Sequence, residues 1–367
     1  MKLRCQRNEL AFGVQTVSRA VSGKSTLPIL SNVLLEASDG QLQLTATDLE
    51  LSLRCKIAAE IEEEGAITVP CQLFQDVVTN FVEAQIELRL EENQLNVMAG
   101  VSDYNIRTLP AEEYPVLPEA DPDQLIRLGQ GTLKRLIGLT SFACSKEDTR
   151  AIMTGALVEI GGATIRVVAT DTHRLALAQS ALPEPAEVDT SAIIPARALI
   201  AMERVLAPED ERQVEIGLGE NLVQISTDDV VMVSRLIDGQ FPNYRRVIPA
   251  EHDKRLVLER EPFALAVRNV RVVAQRDANK IILETADGVL QLRAESQEVG
   301  KGYEEVPVKV EGDDVQIAFN AVYLEDVLRI LDADTVVMDL AGSLSPGVIR
   351  LQEDDDYLYV LMPMQLT

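Results

Sequence analysis

The chain has 367 residues, and its 59 acidic against 34 basic side chains leave a formal net charge of -25. At about 100 to 200 residues per domain the length admits two or three domains, and the acidic field excludes a protein that grips nucleic acid with its whole surface. No run of about 18 apolar residues occurs, and no charged region followed by an apolar stretch opens the chain, so a cytoplasmic protein with no membrane partner is expected.

Read in chain order, one pattern is written three times at intervals of roughly 125 residues. Each copy opens with apolar residues at three- and four-residue spacing, which predicts a helix over Leu10 to Val21, Leu133 to Ala143 and Phe263 to Ala274. Alternating strand pairs follow: Asn32 to Glu36 with Gln41 to Thr45, Gly155 to Glu159 with Thr164 to Val168, and Ile281 to Thr285 with Val289 to Arg293. Asp39-Gly40, Gly161-Gly162 and Asp287-Gly288 supply the positive φ that two-residue hairpin turns need. A third strand then leads to a second helix, over Gln72 to Phe81, Arg197 to Leu206 and Val322 to Leu331. Pro70 and Pro195 stand at the mouths of the first two, and Asn320 caps the third.

Alternating strands, Gln85 to Leu109, Gln213 to Leu236 and Thr335 to Met362, close the copies. Units of this size bury their own cores, so three similar α+β domains in tandem are expected. Pro- and acid-containing linkers at Leu117 to Asp123 and Val247 to Asp253 place them at 1–122, 123–250 and 251–367.

The chain offers little for catalysis. With two histidines in all, only Thr170-Asp171-Thr172-His173-Arg174 resembles a polar site, and a turn stabilised by Asp171 with a partly packed His173 explains it better than a triad does. Gly23-Lys24-Ser25-Thr26 imitates the tail of a phosphate-binding loop, but the leading glycine would fall at Ser18 and the segment leaves a helix instead of starting one. Acidic stretches at Glu60 to Glu64 and Glu353 to Asp356 lack the ligand spacing of a calcium loop. Cys5, Cys55, Cys71 and Cys144 are scattered and read as free thiols in a reducing compartment. No catalytic residue, cofactor or metal is expected.

Charge is unevenly placed. The windows 9–24, 71–82, 132–146, 196–206, 262–280 and 320–331 hold 12 basic and 6 acidic residues, a net of +6, leaving -31 elsewhere. If the helices of all three domains share one face, that face tolerates a phosphate backbone without reading sequence, while the rest of the surface repels it. The scarcity of aromatics argues against a single-strand binder.

Thr26 to Asn32, Thr45-Ala-Thr-Asp48-Leu-Glu50, Val168 to Leu175, Asp238-Gly-Gln-Phe241-Pro242-Asn-Tyr244 and Val360-Leu-Met362-Pro363-Met364 fall in order along the chain. On these motifs and the threefold repeat, the whole chain resembles the bacterial sliding clamps, the β subunits of the replicative DNA polymerase. That resemblance implies three DNA-clamp domains per chain, helices lining the inside and antiparallel sheets outside, in a ring-shaped head-to-tail homodimer that encircles duplex DNA without enzymatic activity. The implied partners are the polymerase catalytic subunit, the clamp loader, repair and translesion polymerases, and mismatch-repair and ligase-type clients.

By the same carry-over, partner peptides would bind at Arg150, Met153, Thr170, Thr172, His173, Arg174, Leu175, Pro242, Arg246, Val247, Asn320, Tyr323, Val360, Met362, Pro363 and Met364. Lys24 and Arg197 would face DNA. Lys134, Arg135, Lys146, Arg268, Arg271 and Arg276 join them as basic helix residues. Tyr104 and Ile106 on one edge and Val272 and Val273 on the other would close the ring. The chain departs from the family's habit at Gln72-Leu73, where Arg-Lys is common, at Ala274 to Lys280, where an aromatic is lost, at Glu295 to Glu305, which is poorer in acids, and at Thr172, which stands for a glycine. These departures keep two alternatives in view: a second clamp copy with altered partners, and a clamp-fold scaffold without ring closure.

Overall fold

The computed structural model describes residues 1–21, 27–118, 120, 122, 124–352 and 354–366. The first repeat comprises β1 (Lys2–Gln6), α1 (Arg7–Val17), β2 (Asn32–Ser38), β3 (Gln41–Thr47), β4 (Leu51–Ala58), β5 (Glu60–Glu63), β6 (Gly65–Pro70), α2 (Cys71–Asn80), β7 (Gln85–Glu91), β8 (Gln94–Ala99) and β9 (Ser102–Arg107). The second comprises β10 (Leu125–Gly129), α3 (Gln130–Gly138), β11 (Gly155–Gly161), β12 (Thr164–Thr170), β13 (Arg174–Ala181), β14 (Thr190–Pro195), α4 (Ala196–Glu203), β15 (Gln213–Leu218), β16 (Leu222–Ser226) and β17 (Val230–Arg235). The third comprises β18 (Lys254–Glu259), α5 (Arg260–Ala274), β19 (Lys280–Ala286), β20 (Val289–Ser296), β21 (Gly300–Pro307), β22 (Lys309–Glu311), β23 (Gln316–Asn320), α6 (Ala321–Ile330), β24 (Thr335–Leu340), β25 (Gly347–Leu351) and β26 (Asp354–Leu361).

Three details differ from the sequence reading. A short strand precedes the first helix of every repeat; at five or six residues, β1, β10 and β18 are too short to stand out beside the helical period that follows. All three opening helices begin earlier than expected; α5 ends at Ala274 as expected, but α1 and α3 end earlier, α1 giving way to a 3-10 turn at Ser18–Ala20 and α3 being followed by one at Ser141–Ala143. In the second hairpin Gly161 is still paired with Thr164, so Gly162 (φ 53°) and Ala163 make the turn. Lys24, with Ser22 to Thr26, lies outside the described residues.

The chain divides into two compact units, Met1–Lys134 with Arg197–Leu236, and Arg135–Ala196 with Ile237–Thr367. The first unit holds a five-stranded sheet, β5-β1-β7-β8-β9, and an eight-stranded sheet, β10-β15-β16-β17-β4-β3-β2-β6. α1 buries Leu10, Val14 and Val17, and packs on α2, β3 and β4. Gly13 lets α1 approach closely, since a Cβ there would meet Leu44 Cδ1 at 3.0 Å. The second unit holds a nine-stranded sheet, β14-β11-β12-β13-β26-β25-β24-β18-β22, and a four-stranded sheet, β21-β20-β19-β23. There α5 buries Phe263, Ala266, Val267 and Val270 against α6, β20 and β21. Burial of a side chain such as Phe263 contributes about 1.5–3 kcal/mol.

Consecutive repeats are joined in the same way twice. β4 pairs antiparallel with β17, from Leu51↔Ser234 to Cys55↔Val230. Its counterpart β13 pairs with β26, from Arg174↔Leu361 to Ala178↔Tyr357. The third members of these two strand classes, β21 and β9, are left as the edges of their sheets.

Candidate functional site

The second unit carries an apolar cleft of about 170 Å³ lined by Met153, Thr170, Thr172, Arg174, Leu175, Pro242, Asn243, Tyr244, Val247, Val360 and Met362. Its floor is the β12–β13 turn. Thr170 Oγ1 donates to the Arg174 carbonyl (2.7 Å) and accepts from Thr172 N (3.2 Å), while Asp171 Oδ1 accepts from His173 N (3.0 Å) and Arg174 N (3.1 Å). The N–H groups of the turn from Asp171 to Arg174 therefore all have local acceptors, and Asp171 acts as a structural acceptor. Thr172 adopts φ 81°, a strained conformation for a β-branched residue. Its hydroxyl accepts from Arg150 NH1 at 2.9 Å, and the same nitrogen donates to the Asp171 carbonyl at 2.9 Å.

Beneath the turn lies Arg174, only 6% exposed. It donates to Asp171 (3.0 Å), Asp326 (2.7 Å) and the Phe142 carbonyl (2.9 Å), and its guanidinium lies 4.5 Å from the Tyr323 ring centroid. Burial would lower its proton affinity, but Tyr359 and the Asp326 and Asp171 carboxylates more than offset that and hold it above its ordinary range. A buried, fully paired arginine fixes geometry. Here it ties β13 to α6.

Of the expected peptide-binding residues, nine line this cleft: Met153, Thr170, Thr172, Arg174, Leu175, Pro242, Val247, Val360 and Met362. His173 is exposed beside it and stacks on Tyr323 with centroids 6.2 Å apart, while its carbonyl accepts from Met362 N at 2.9 Å. Asn320 caps α6 by accepting from Val322 N (2.9 Å), and Met364 N donates to the Ala318 carbonyl (2.8 Å), so these two extend past the cleft with the half-buried Pro363. Arg246 is exposed on the 3-10 turn Tyr244–Arg246. The sequence reading missed Asn243 and Tyr244 as lining residues although both sit in the Asp238-to-Tyr244 motif, and it missed Asp326 and Glu159, whose roles rest on contacts across more than 80 residues.

The basic candidates are less free than their charge suggests. Within the helices as they form, basic residues number eight and acidic six, so the net falls to +2 and the excess lies just beyond helix ends. Arg197 pairs with Asp48 and donates to the Arg19 carbonyl (2.9 Å), Arg135 pairs with Asp354, and Arg268 and Arg271 share Glu325. Lys134 Nζ donates to the Leu206 carbonyl at 2.7 Å, while Lys146 and Arg276 are exposed. Burial, then Arg204, lowers the proton affinity of Arg19.

On the edges, Tyr104 is 50% exposed and Val272 68%, but Ile106 is only 2% exposed. Alternation along β9 sends Tyr104 and Ile106 to the same pleat face, where Ile106, opposite Leu95, is covered and Tyr104 lies edge-on to Phe81 but stays half exposed. Among the described residues no helix is long and apolar enough to cross a membrane, and no cluster of histidine, cysteine and carboxylate residues could hold a metal ion.

A thrice-repeated α+β domain with open sheet edges and an apolar peptide-sized cleft defines a binding and assembly protein. Comparison with known proteins specifies it further. Family models for the DNA polymerase III beta subunit match in sequence order: N-terminal domain at 1–118, central domain at 127–243 and C-terminal domain at 245–365. The beta sliding clamp of Pseudomonas aeruginosa is 35% identical and that of Escherichia coli K12 34%, each over 100% of both chains. Solved structures agree: the DNA polymerase III beta subunit of Thermotoga maritima (TM-score 0.93, 30% identity) and a P. aeruginosa sliding clamp bound to griselimycin (TM-score 0.94, 35% identity), each covering 100% of both chains. The chain belongs to the DNA polymerase III beta subunit family.

Proposed function

We propose that the chain works as a sliding clamp, a homodimeric ring that encircles duplex DNA and tethers the replicative polymerase, with no catalysis of its own. The observation that carries this reading is the pair of open edges. Wherever one repeat meets the next, a strand of the β4 class pairs with one of the β17 class; among the described residues, β21 and β9 are the members left without such a partner. Pairing β21 of one copy with β9 of another satisfies both edges, and repeating it once closes a ring. Tyr104, Val272 and Val273 are the apolar residues offered to that junction, with Ile106 contributing through its backbone. Retention on DNA then comes from topology, so the inner surface needs only weak, sequence-blind contacts from Lys24, Lys134, Arg135, Lys146, Arg197, Arg268, Arg271 and Arg276.

The cleft is the tether. Its Met and Val walls adapt to several apolar anchors, while Arg150, His173 and Arg246 flank it with donors for a peptide's polar groups. Clamp loader, repair and translesion polymerases, mismatch-repair and ligase-type clients would compete for it in the cytoplasm. The domains are taken as 1–122, 123–250 and 251–367.

The test is retention on DNA. The protein is loaded with a cognate loader and ATP onto nicked circular DNA, isolated in moderate salt, and the circle is then linearised. Retention on the circle with loss from the linear form supports the ring; no retention by a verified dimer with a competent loader favours an open scaffold.

A further inference from the structure

The wall of the cleft formed by Pro242, Asn243, Tyr244 and Val247 is thin. On its other side lies a second, wider cleft of about 530 Å³, lined by Leu157, Glu159, Gln240, Phe241, Arg245 and again Pro242 to Tyr244. Tyr244 packs in the core cluster with Leu157, Leu175 and Val360, and Phe241 and Val247 lie against it. Yet with open space on both faces, packing leaves the segment's polar atoms to be held by hydrogen bonds. Its backbone offers little more: Ile237 N donates to the Ile193 carbonyl (2.9 Å), and Arg246 and Val247 bond only within the turn. Beyond packing, its side-chain polar tie to the sheet centres on one carboxylate on β11, with Arg166 Nη1 also 3.5 Å from Tyr244 Oη. Tyr244 Oη donates to Glu159 Oε2 at 2.6 Å, and Arg245 NH2 donates to the same group at 3.1 and 3.2 Å while its guanidinium covers the Tyr244 ring at 4.6 Å. Arg166 completes the set at 3.3 Å. Burial opposes ionisation of Glu159, but Tyr244, Arg245 and Arg166 outweigh it and hold the carboxyl below its ordinary range, while burial and Glu159 push the Tyr244 hydroxyl up, so the proton stays on the donor.

We propose that Glu159, which does not line the first cleft, is a positioning residue for peptide binding: it anchors Tyr244 from behind and so sets the width of the cleft. The inference rests on the cleft being the peptide site. Losing a short charge-assisted bond behind a wall with open space on both faces lets the wall fluctuate more, and a ligand gripped by it leaves faster.

The experiment uses the full chain and a fluorescein-labelled short peptide selected on it from a random display library. Tyr244→Phe, which removes only the hydroxyl, and Glu159→Ala are each expected to weaken binding about tenfold through a faster off-rate. The double variant loses no more than either alone, and Glu159→Gln, which keeps an acceptor, recovers most of the loss. In the unliganded chain, amides of residues 239–247 exchange faster in both single variants. Affinities within twofold of wild type, multiplicative losses in the double variant, or unchanged exchange overturn the proposal. A peptide indifferent to Met362→Glu sinks the cleft reading instead, and the exchange measurement on the free chain still decides the anchor.

Discussion

The first and second repeats build the same turn and put it to different uses. In the first, Thr47 Oγ1 donates to the Leu51 carbonyl and accepts from Leu49 N, while Asp48 Oδ1 accepts from Glu50 N and Leu51 N. In the second, Thr170, Asp171, Thr172, His173 and Arg174 repeat that network bond for bond. Both turns carry a non-glycine residue in the left-handed region, Leu49 at φ 77° and Thr172 at φ 81°.

The difference lies in what the chain after each repeat's last strand does. Tyr114, 7% exposed, has a hydroxyl that accepts from Thr47 N at 3.1 Å, donates to the Asn32 carbonyl at 3.4 Å and shuts the first turn away. Tyr244, 4% exposed, turns its hydroxyl to Glu159 instead, and the space over Thr170 stays open as the cleft. A binding site here is a turn that its own linker does not close.

Removing the aspartate of each turn breaks the comparison most severely. Asp171→Ala also strips a partner from the buried Arg174 and costs about 3 kcal/mol, whereas Asp48→Ala leaves a half-exposed Arg197 and costs about 1 kcal/mol; urea denaturation measures both. Equal losses would mean that Arg174 contributes nothing beyond the turn. Tyr114→Phe leaves Thr47 N buried without its acceptor and lowers stability by about 1–2 kcal/mol in the same assay, with peptide affinity unchanged.

Glycine at the strained positions sharpens the picture further. Leu49→Gly and Thr172→Gly each relieve a positive φ, worth about 0.5 kcal/mol after the entropy of glycine is counted, and Thr172→Gly gains less because Arg150 loses an acceptor. Thermal midpoints that fall in both variants would show that the turns are not strained.

An alkaline effect, absent at neutral pH, separates the two units. Burial pushes Cys5, Cys55, Cys71 and Cys144 up to about 12, from an ordinary value of 9.0. Unfolded thiols then release protons that folded ones keep, so stability is full below pH 9 and falls as pH rises toward 12. Three of the four thiols belong to the first unit, and only Cys144 to the second. Burial raises tyrosines too, Tyr114 in the first unit and Tyr244, Tyr323, Tyr357 and Tyr359 in the second. Hydrogen exchange should therefore be read just above pH 9, below tyrosine's ordinary range, where the thiols dominate and the first unit opens before the second. Alanine at Cys5, Cys55 and Cys71 should flatten that dependence.

Local order was legible in the amino-acid sequence. The threefold repeat, the helices around Val14, Leu133 and Phe263, the hairpins at Gly40 and Gly288 and the turn at Asp171 all follow from spacing and turn chemistry, because these depend on neighbours within a few residues. Nine cleft residues were reachable through motif resemblance. The short strands β1, β10 and β18 were hidden because five or six residues give alternation too little length to show.

Tertiary structure alone decided the rest. Which strand of one repeat pairs with which of the next, that Ile106 turns inward, that Glu325 takes up Arg268 and Arg271, and that Tyr244 bonds to Glu159 across 85 residues are all settled by contacts distant in sequence. Such contacts form only when the whole chain has closed its loops, and no periodicity in the sequence records them.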